Sequence, residues 1–213
     1  VSANSSLTNL VSSSGVVATD TTGVGTARNA PAAASYGGDK AIFAYGDSGS
    51  ITAISNLVNN SGVVASDVTG VGTARRQLAA AGYGEDKAIF GYGTTGSKSS
   101  LTNLVSNSGV VAADVTGVGT QRYSLAAASY GTDKAIFGYG TSGINDDISL
   151  TNLVANTGVV SADVTGVGSA RRDLAAASYG TDKAIFGYGS NATTNLSLTN
   201  LVSNTGVVAS DVT

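Results

Sequence analysis

The chain has 213 residues, of which 12% are charged and 42% hydrophobic, and its formal net charge is −3. Eleven scattered Lys and Arg form no basic stripe, which argues against nucleic-acid binding. No apolar run approaches the roughly 18 residues of a membrane-spanning helix, so no membrane insertion is expected. Cysteine and histidine are absent, which excludes thiolate and imidazole chemistry. Methionine is absent even at position 1, so we expect a processed, excised or partly represented chain.

Internal repetition dominates the sequence and predicts one repeat domain over residues 1–213. Glycines and asparagines divide each unit into four short segments: a (LAAASYG), b (KAIFGYG), c (SLTNLVSN) and d (GVVASDVT). Each segment has about the length of a strand, and the 29 glycines disfavour long helices. The repeat begins near Asn9, Asn56, Asn103, Asn152 and Asn200, with periods of 47, 47, 49 and 48 residues.

The first predicted element is a c–d hairpin over residues 6–22, which no a–b pair precedes. A linker of the type TGVGTAR comes after it. The G-x-G in this linker lacks the strand–turn–helix context and the third glycine of a phosphate-binding loop, so we interpret it as structural. One Arg recurs four times, as Arg28, Arg75, Arg122 and Arg171, and one Asp recurs five times, as Asp20, Asp67, Asp114, Asp163 and Asp211. We favour an Asp that accepts backbone N–H bonds in a turn, or pairs with the Arg, over a ring of metal ligands.

Segments a and b come next, and the residue pattern of segment b predicts how neighbouring sheets pack. In the second copy of b, Phe90 and Tyr92 point to one face, while Gly91 and Gly93 point to the other. In stacked sheets, the rings of one unit would cover the glycine face of its neighbour. We therefore expect a core between units that contains Phe90, Phe137 and Phe186, and in part Tyr92, Tyr139 and Tyr188. Four strands in about 47 residues predict one blade of a β-propeller, and a β-solenoid ranks second.

The stretch ARRDLAAASYGTDKAIFGYG resembles the kelch repeat, with an Arg, an apolar inner strand, a tight turn and a strand that ends in glycines. The glycine doublet of kelch is replaced by GYG, and the chain has no Trp. The resemblance implies an all-β propeller of four-stranded kelch-like blades. Four a–b pairs and five c–d pairs predict four complete blades plus a surplus half blade. That count fits either a four-bladed ring with a spare hairpin or an incomplete five-bladed ring, and we favour the second.

The copies differ from one another mainly in two places, the b–c loop and the three residues after the repeated Arg. In an up-and-down blade both regions emerge on the same face of the disc, where loops on a rigid scaffold usually carry binding residues. Neutral drift in tolerant loops is the competing explanation. The candidate ligand-binding residues are Asn29, Arg76, Gln77, Tyr123, Arg172 and Asp173.

These observations predict a non-catalytic structural or interaction module that binds a protein or glycan surface. No nucleophile–base pair is recognisable, and no enzyme activity, cofactor or metal is expected. One alternative is a multivalent carbohydrate-binding lectin, and another is an engineered or excised propeller fragment without a ligand. Self-association or a complementing propeller segment is a further expectation. The high identity of the copies and the missing Met would fit a fragment of a larger extracellular or virion-surface protein.

Overall fold

The computed structural model describes residues 4–213, and these residues form an all-β structure without a helix. The strands are β1 (Ala32–Tyr36), β2 (Lys40–Ala44), β3 (Ser55–Val58), β4 (Ala79–Tyr83), β5 (Lys87–Gly91), β6 (Thr102–Val105), β7 (Ala126–Tyr130), β8 (Lys134–Gly138), β9 (Thr151–Val154), β10 (Ala175–Tyr179), β11 (Lys183–Gly187) and β12 (Thr199–Val202). They form four antiparallel three-stranded sheets, one for each a–b–c run of the sequence. Sheet 1 consists of β1–β3, sheet 2 of β4–β6, sheet 3 of β7–β9 and sheet 4 of β10–β12.

Segments a and b form the first two strands of every sheet, as the sequence predicts. In sheet 2, Ala79 pairs with Gly91, and Tyr83 pairs with Lys87. The turn between them needs two residues of positive φ, which are Gly84 at 58° and Glu85 at 68°. A glycine enters this region without the steric cost of a side chain. The turn therefore accounts for the glycine that comes after the tyrosine of segment a in every copy.

Segment d does not form a regular fourth strand. In sheet 1 two isolated bridges connect it to β3, one from Val58 to Val64 and one from Ser55 to Val68. The two bridges differ in register by one residue, which is the mark of a β-bulge. The four-stranded blade expected from the sequence is thus found as three strands with an irregular edge.

A side chain occupies the place where the ladder of segment d is interrupted. Asn56 Nδ2 donates hydrogen bonds to the Ala65 carbonyl, at 3.1 Å, and to Asp67 Oδ1, at 2.8 Å. A side-chain amide that bonds the neighbouring backbone competes with regular strand pairing. The Asn of segment c and the Asp of segment d therefore explain the irregular edge.

Consecutive sheets pack through their alanine-rich inner strands β1, β4, β7 and β10. The glycine face of one sheet receives a phenyl ring of the next, as predicted. A Cβ built on Gly91 would lie 2.7 Å from Phe137 Cζ, and one built on Gly138 would lie 2.6 Å from Phe186 Cζ. These glycines are needed because the neighbouring ring fills the space of a side chain.

The prediction that Phe90 and Tyr92 share a face is wrong: Phe90 packs against Tyr45 of sheet 1, whereas Tyr92 lies on the side of Gly91 and packs against Phe137 of sheet 3. The strand ends at Gly91, and the positive φ of Tyr92, 65°, breaks the alternation of side chains.

The predicted core residues are confirmed except at the last sheet. Phe90, Phe137 and Phe186 are fully buried, and so are Tyr92 and Tyr139. Tyr188, which we expected to be partly buried, is 64% exposed instead. The reason is that no further sheet covers sheet 4 within residues 4–213.

Neither end of the row of sheets is packed like its middle. The inner strands pack in the order β1 on β4, β4 on β7 and β7 on β10. Within residues 4–213, no comparable packing joins β1 to β10. Tyr179 of β10 is 40% exposed, whereas the equivalent Tyr130 of β7 is 3% exposed. Residues 4–213 thus form a row of four packed sheets with two open ends.

The hairpin of residues 6–22 lies against sheet 1. Bridges from Thr8 to Thr21 and from Val11 to Val17 hold it together. It takes the position of a c–d pair in a sheet that would precede sheet 1. The evidence is that Leu10 lies beside Gly62 in the same way that Leu57 lies beside Gly109.

Candidate functional site

The two variable regions of the repeat lie side by side. The residue after the repeated Arg forms an isolated bridge with the first residue of the b–c loop, for example Arg76 with Thr94 and Tyr123 with Thr141. The equivalent bridges are Asn29–Asp47 and Arg172–Ser190. We call this shared surface the variable face; it comprises residues 29–31, 76–78, 123–125 and 172–174 and the b–c loops 47–51, 94–98, 141–147 and 190–195.

A row of backbone hydrogen bonds connects the residues that follow the repeated arginines along this face. Gln77 N donates to the Ala30 carbonyl at 3.2 Å, and Ser124 N donates to the Gln77 carbonyl at 2.9 Å. Asp173 N continues the row to the Ser124 carbonyl at 2.9 Å. All four residues have φ between 48° and 54°, a region that non-glycine residues seldom occupy. The surrounding structure must hold this strained backbone, so it presents its side chains on a fixed frame.

Five of the six predicted site residues line two adjoining grooves. The first groove, of about 340 Å³, is lined by Arg76, Gln77 and Tyr123 among others. The second, of about 220 Å³, is lined by Gln77, Tyr123, Arg172 and Asp173. Because Gln77 and Tyr123 belong to both, the two form one continuous depression across sheets 2, 3 and 4. We call it the variable-face groove.

The two arginines of the groove also make ion pairs with residues of the b–c loops. Arg76 Nη1 lies 2.6 Å from Asp47 Oδ2, and Arg172 Nη1 lies 3.1 Å from Asp147 Oδ1. Each aspartate belongs to the sheet before its arginine, so each pair ties neighbouring sheets together. In these copies, an Arg after the repeated arginine therefore occurs together with an Asp in the b–c loop of the preceding sheet.

The middle of the groove combines an aromatic ring with an exposed aliphatic side chain. Tyr123 is partly buried, and Ile144 is 93% exposed. Gln77 Nε2 donates to Ser124 Oγ at 3.2 Å, which fixes the position of the amide. Lys98 Nζ donates to the Ser142 carbonyl at 2.8 Å. This arrangement offers apolar contact at its centre and hydrogen-bonding or charged groups around it.

Asn29 is the predicted site residue that the structure does not bring to the groove. Its Nδ2 donates to Asn4 Oδ1 at 2.8 Å, and Asn4 Nδ2 in turn donates to the Asp47 carbonyl at 3.0 Å. Asn29 therefore ties the start of the described chain to sheet 1. The reason is its position in the first copy, where no preceding a–b pair supplies a second wall.

Sequence reasoning did not single out Lys98 and Ile144, which line the groove, or Asp147, which pairs with Arg172. The b–c loops that carry them vary most between copies, so the signal was present in the sequence. It did not single out residues, because the loops differ in length and only their folded shape shows which side chains face the groove.

The repeated arginines are buried between the sheets instead of lining the groove. Arg122 Cζ lies 4.1 Å from the centroid of the Tyr92 ring, and Arg122 Nη2 donates to Asn152 Oδ1 at 2.7 Å. Asp163 accepts hydrogen bonds from Thr120 N at 3.0 Å and from Thr120 Oγ1 at 2.7 Å. The interpretation of the repeated Asp as an acceptor of backbone N–H bonds is thus confirmed.

Burial in this junction shifts the ionisation of its members. Desolvation raises the pKa of Tyr92 to about 12, although the charge of Arg122 opposes the shift. Burial by itself would raise the pKa of Asp163. Hydrogen bonds from Thr120 and Asn152, together with the charge of Arg122, outweigh burial and hold the pKa of Asp163 below its usual range. The junction thus stays as a neutral phenol and a carboxylate at neutral pH.

No protein-family model and no curated protein matches this chain. Among residues 4–213 no helix is long and apolar enough to cross a membrane. The same residues hold no cluster of three or more acidic side chains suited to a metal ion. The function has therefore to be inferred from the geometry of the variable face.

Proposed function

We propose that the protein is a non-catalytic interaction module that binds a protein surface through the variable-face groove. The observation that carries this proposal is that variable residues from three different repeats line one continuous depression. Gln77, Tyr123, Arg172 and Asp173 are far apart in sequence, yet they adjoin one another there. Loops held on a rigid scaffold are the usual place of binding residues.

The chemistry of the groove suits a protein partner. Tyrosine and arginine are enriched among residues that dominate binding energy at protein interfaces, and such residues lie near the centre of the contact. Tyr123 and Ile144 supply that centre, and Arg76, Lys98 and Asp173 supply a polar rim. A lectin with one site per repeat would present the same side chains in each copy, whereas the groove residues differ from copy to copy.

The rigidity of the face supports the same proposal. The row of backbone hydrogen bonds along the variable face and the ion pairs of Arg76 and Arg172 order the groove before a partner binds. A preorganised surface loses less conformational entropy on association, which favours affinity.

The test compares substitutions on the variable face with a substitution elsewhere. Binding of the full chain is measured on arrays of purified surface proteins and on glycan arrays. We expect protein partners whose affinity falls at least about tenfold, or roughly 1.4 kcal/mol, in the double variant Tyr123→Ala, Ile144→Ala. Val159→Ala is the matched control, because Val159 is 66% exposed and lies outside the variable face.

The outcomes separate the candidate functions. Binding of a protein that is lost in the double variant but kept in Val159→Ala supports the proposal. Binding to glycans alone would replace it with the lectin function. Protein binding that survives the double variant would show that the groove is not the site.

A further inference from the structure

Each junction between sheets is built from two halves. The tyrosine of one sheet forms the first half, and an arginine and a phenylalanine of the next sheet form the second. The Tyr92 ring centroid lies 5.2 Å from that of Phe137, and Tyr92 Oη donates to the Val118 carbonyl at 3.2 Å. The other junctions repeat this arrangement with Tyr45, Arg75 and Phe90, and with Tyr139, Arg171 and Phe186.

Sheet 1 carries the second half of such a junction without a tyrosine. Val24, Arg28 and Phe43 occupy the positions of Val118, Arg122 and Phe137 in the repeat. They line a cavity of about 160 Å³, whose other wall is formed by residues 5–8 of the hairpin. We call it the first-sheet cavity. It lies where the b strand of a preceding sheet would run.

The hairpin beside this cavity presents acceptors that are already arranged. Asn9 Nδ2 donates to Asp20 Oδ1 at 2.9 Å, as Asn152 Nδ2 does to Asp163 Oδ1 at 3.0 Å. In sheet 3, the Asp163 carboxylate accepts hydrogen bonds from the linker threonine, Thr120, and Asn152 Oδ1 accepts one from the repeated arginine, Arg122. Asn9 and Asp20 are both exposed.

Sheet 4 carries the first half of a junction without its cover. The Tyr188 ring is 64% exposed, whereas Tyr45, Tyr92 and Tyr139 are fully buried. A Cβ built on Gly187 would meet Thr199 alone within 4 Å, whereas one on Gly138 would collide with the ring of Phe186. Sheet 4 thus offers the glycine face and the tyrosine that receive a phenylalanine and an arginine elsewhere.

We propose that these open ends bind one further strand pair of the repeat's own sequence, supplied as a separate polypeptide. Its b strand pairs with the hairpin of residues 6–22, and its tyrosine enters the first-sheet cavity. Its linker hydroxyl and its arginine bind Asp20 and Asn9. Its phenylalanine covers Gly187 and Tyr188, which closes the row of four sheets into a ring of five.

A second intact copy fits these sites less well than a separate strand pair. Sheet 4 of another copy offers Tyr188, but its strand β11 already pairs with β10 on one edge and β12 on the other. It therefore has no free edge for the hairpin and leaves Asn9 and Asp20 without donors. This proposal concerns the ends of the row and does not depend on the function of the variable face.

The probe is a synthetic peptide with the sequence of residues 166–189, GVGSARRDLAAASYGTDKAIFGYG. It is titrated into the full chain by calorimetry, and nitration of Tyr188 is followed by mass spectrometry. We expect saturable 1:1 binding and at least a fivefold slower nitration of Tyr188 in the chain. A peptide in which its own Tyr188 is replaced by Ala should bind at least tenfold more weakly.

Two matched variants of the chain locate the peptide. Asp20→Asn should weaken peptide binding at least tenfold. It should not lower the melting temperature, because no linker residue hydrogen-bonds the Asp20 carboxylate in the described part of the free chain. Asp211→Asn removes the equivalent carboxylate where Ser169 N and Oγ already bind it, at 2.9 and 2.8 Å. That variant should melt at a lower temperature and keep its affinity for the peptide.

Three results would overturn the proposal. One is the absence of peptide binding by a folded chain. Another is binding that neither Asp20→Asn nor Phe43→Ala weakens. The third is a chain that already associates with itself and protects Tyr188 before any peptide is added, which would assign the open ends to a second copy.

Discussion

At the scale of single residues, the junction of tyrosine, arginine and phenylalanine joins one sheet to the next. Arg122 is fully buried and lies over the ring of Tyr92, where it also contacts an asparagine and an aspartate. Burial of a guanidinium is costly unless it is paired and hydrogen-bonded. The repeated Asn and Asp therefore recur with the Arg because each copy must stabilise the same buried charge.

Removal of a junction phenyl ring should destabilise the protein according to its burial. Phe137→Ala should lower the free energy of unfolding by about 3–5 kcal/mol, because it leaves a cavity against Gly91 and Tyr92. Phe43→Ala is the matched control, since Phe43 is only partly buried and should cost clearly less. Urea unfolding followed by circular dichroism measures both. A loss below about 1 kcal/mol for Phe137→Ala would contradict this packing.

The junction tyrosines should make the fold sensitive to alkaline pH. Burial raises the pKa of Tyr45, Tyr92 and Tyr139 to about 12 in the folded chain, against roughly 10 in an unfolded one. The folded state thus holds these protons more tightly. The associated stability is complete below pH 10 and is lost as pH rises from about 10 to 12.

The measurement is the urea midpoint as a function of pH, together with the ultraviolet absorbance of tyrosinate. Tyr139→Phe should reduce the fall in stability above pH 10, because one of the three buried phenols is gone. An unchanged pH profile in that variant would show that other groups cause the alkaline loss.

At the scale of elements, the sheets stack because one face of strand b is almost bare. Phe137 and Phe186 occupy the space in front of Gly91 and Gly138 in the preceding sheets. Sheet 1 carries Ala44 at the equivalent position, and its Tyr45–Phe90 centroid distance is 5.4 Å, against 5.2 Å at the other two junctions. A single methyl group is thus accommodated with a slightly wider junction.

A methyl group added to these glycines should have an effect that depends on the sheet. Gly138→Ala should lower the free energy of unfolding by about 1–3 kcal/mol, because the ring of Phe186 must move to make room. Gly187→Ala should change it by less than about 0.5 kcal/mol, since no ring faces Gly187 in the described part of the chain. Equal effects in chemical denaturation would show that sheet 4 is covered in solution.

At the scale of the whole molecule, the row of sheets explains both open ends and the shared variable face. Every sheet presents its b–c loop and the residues after its repeated arginine on the same side. Backbone hydrogen bonds join the latter residues from one sheet to the next. Four kelch-like blades within a five-bladed ring would place the hairpin of residues 6–22 as the outer half of a fifth blade. That arrangement stays a proposal, which removal of the hairpin can test.

Deletion of residues 1–22 should therefore impair the chain rather than leave it intact. Without the hairpin, Phe43 and Arg28 lose the wall that residues 5–8 form beside them. An uncovered sheet face with apolar side chains promotes association. We expect a lower melting temperature and an oligomer or aggregate by analytical ultracentrifugation. A folded monomer of equal stability would favour a four-bladed ring in which the hairpin is spare.

The sequence by itself determined the features that repeat. Its period, its glycines and the alternation in segment b predicted an all-β stack, the buried phenylalanines and the structural role of the repeated Asp. Such features depend on local backbone geometry and on the contact of one copy with the next. The variable residues could also be recognised, and Gln77, Tyr123, Arg172 and Asp173 do adjoin one another.

Only the tertiary structure decided what depends on position within the row. Tyr92 and Tyr188 have the same local sequence, but one is buried and the other is 64% exposed, because burial requires a following sheet. The irregular edge of segment d, by contrast, arises within each hairpin, where the Asn of segment c hydrogen-bonds the backbone nine residues later. Ile144 joined the groove because the fold of its loop turns it there, and repetition carries no information about loops that differ between copies.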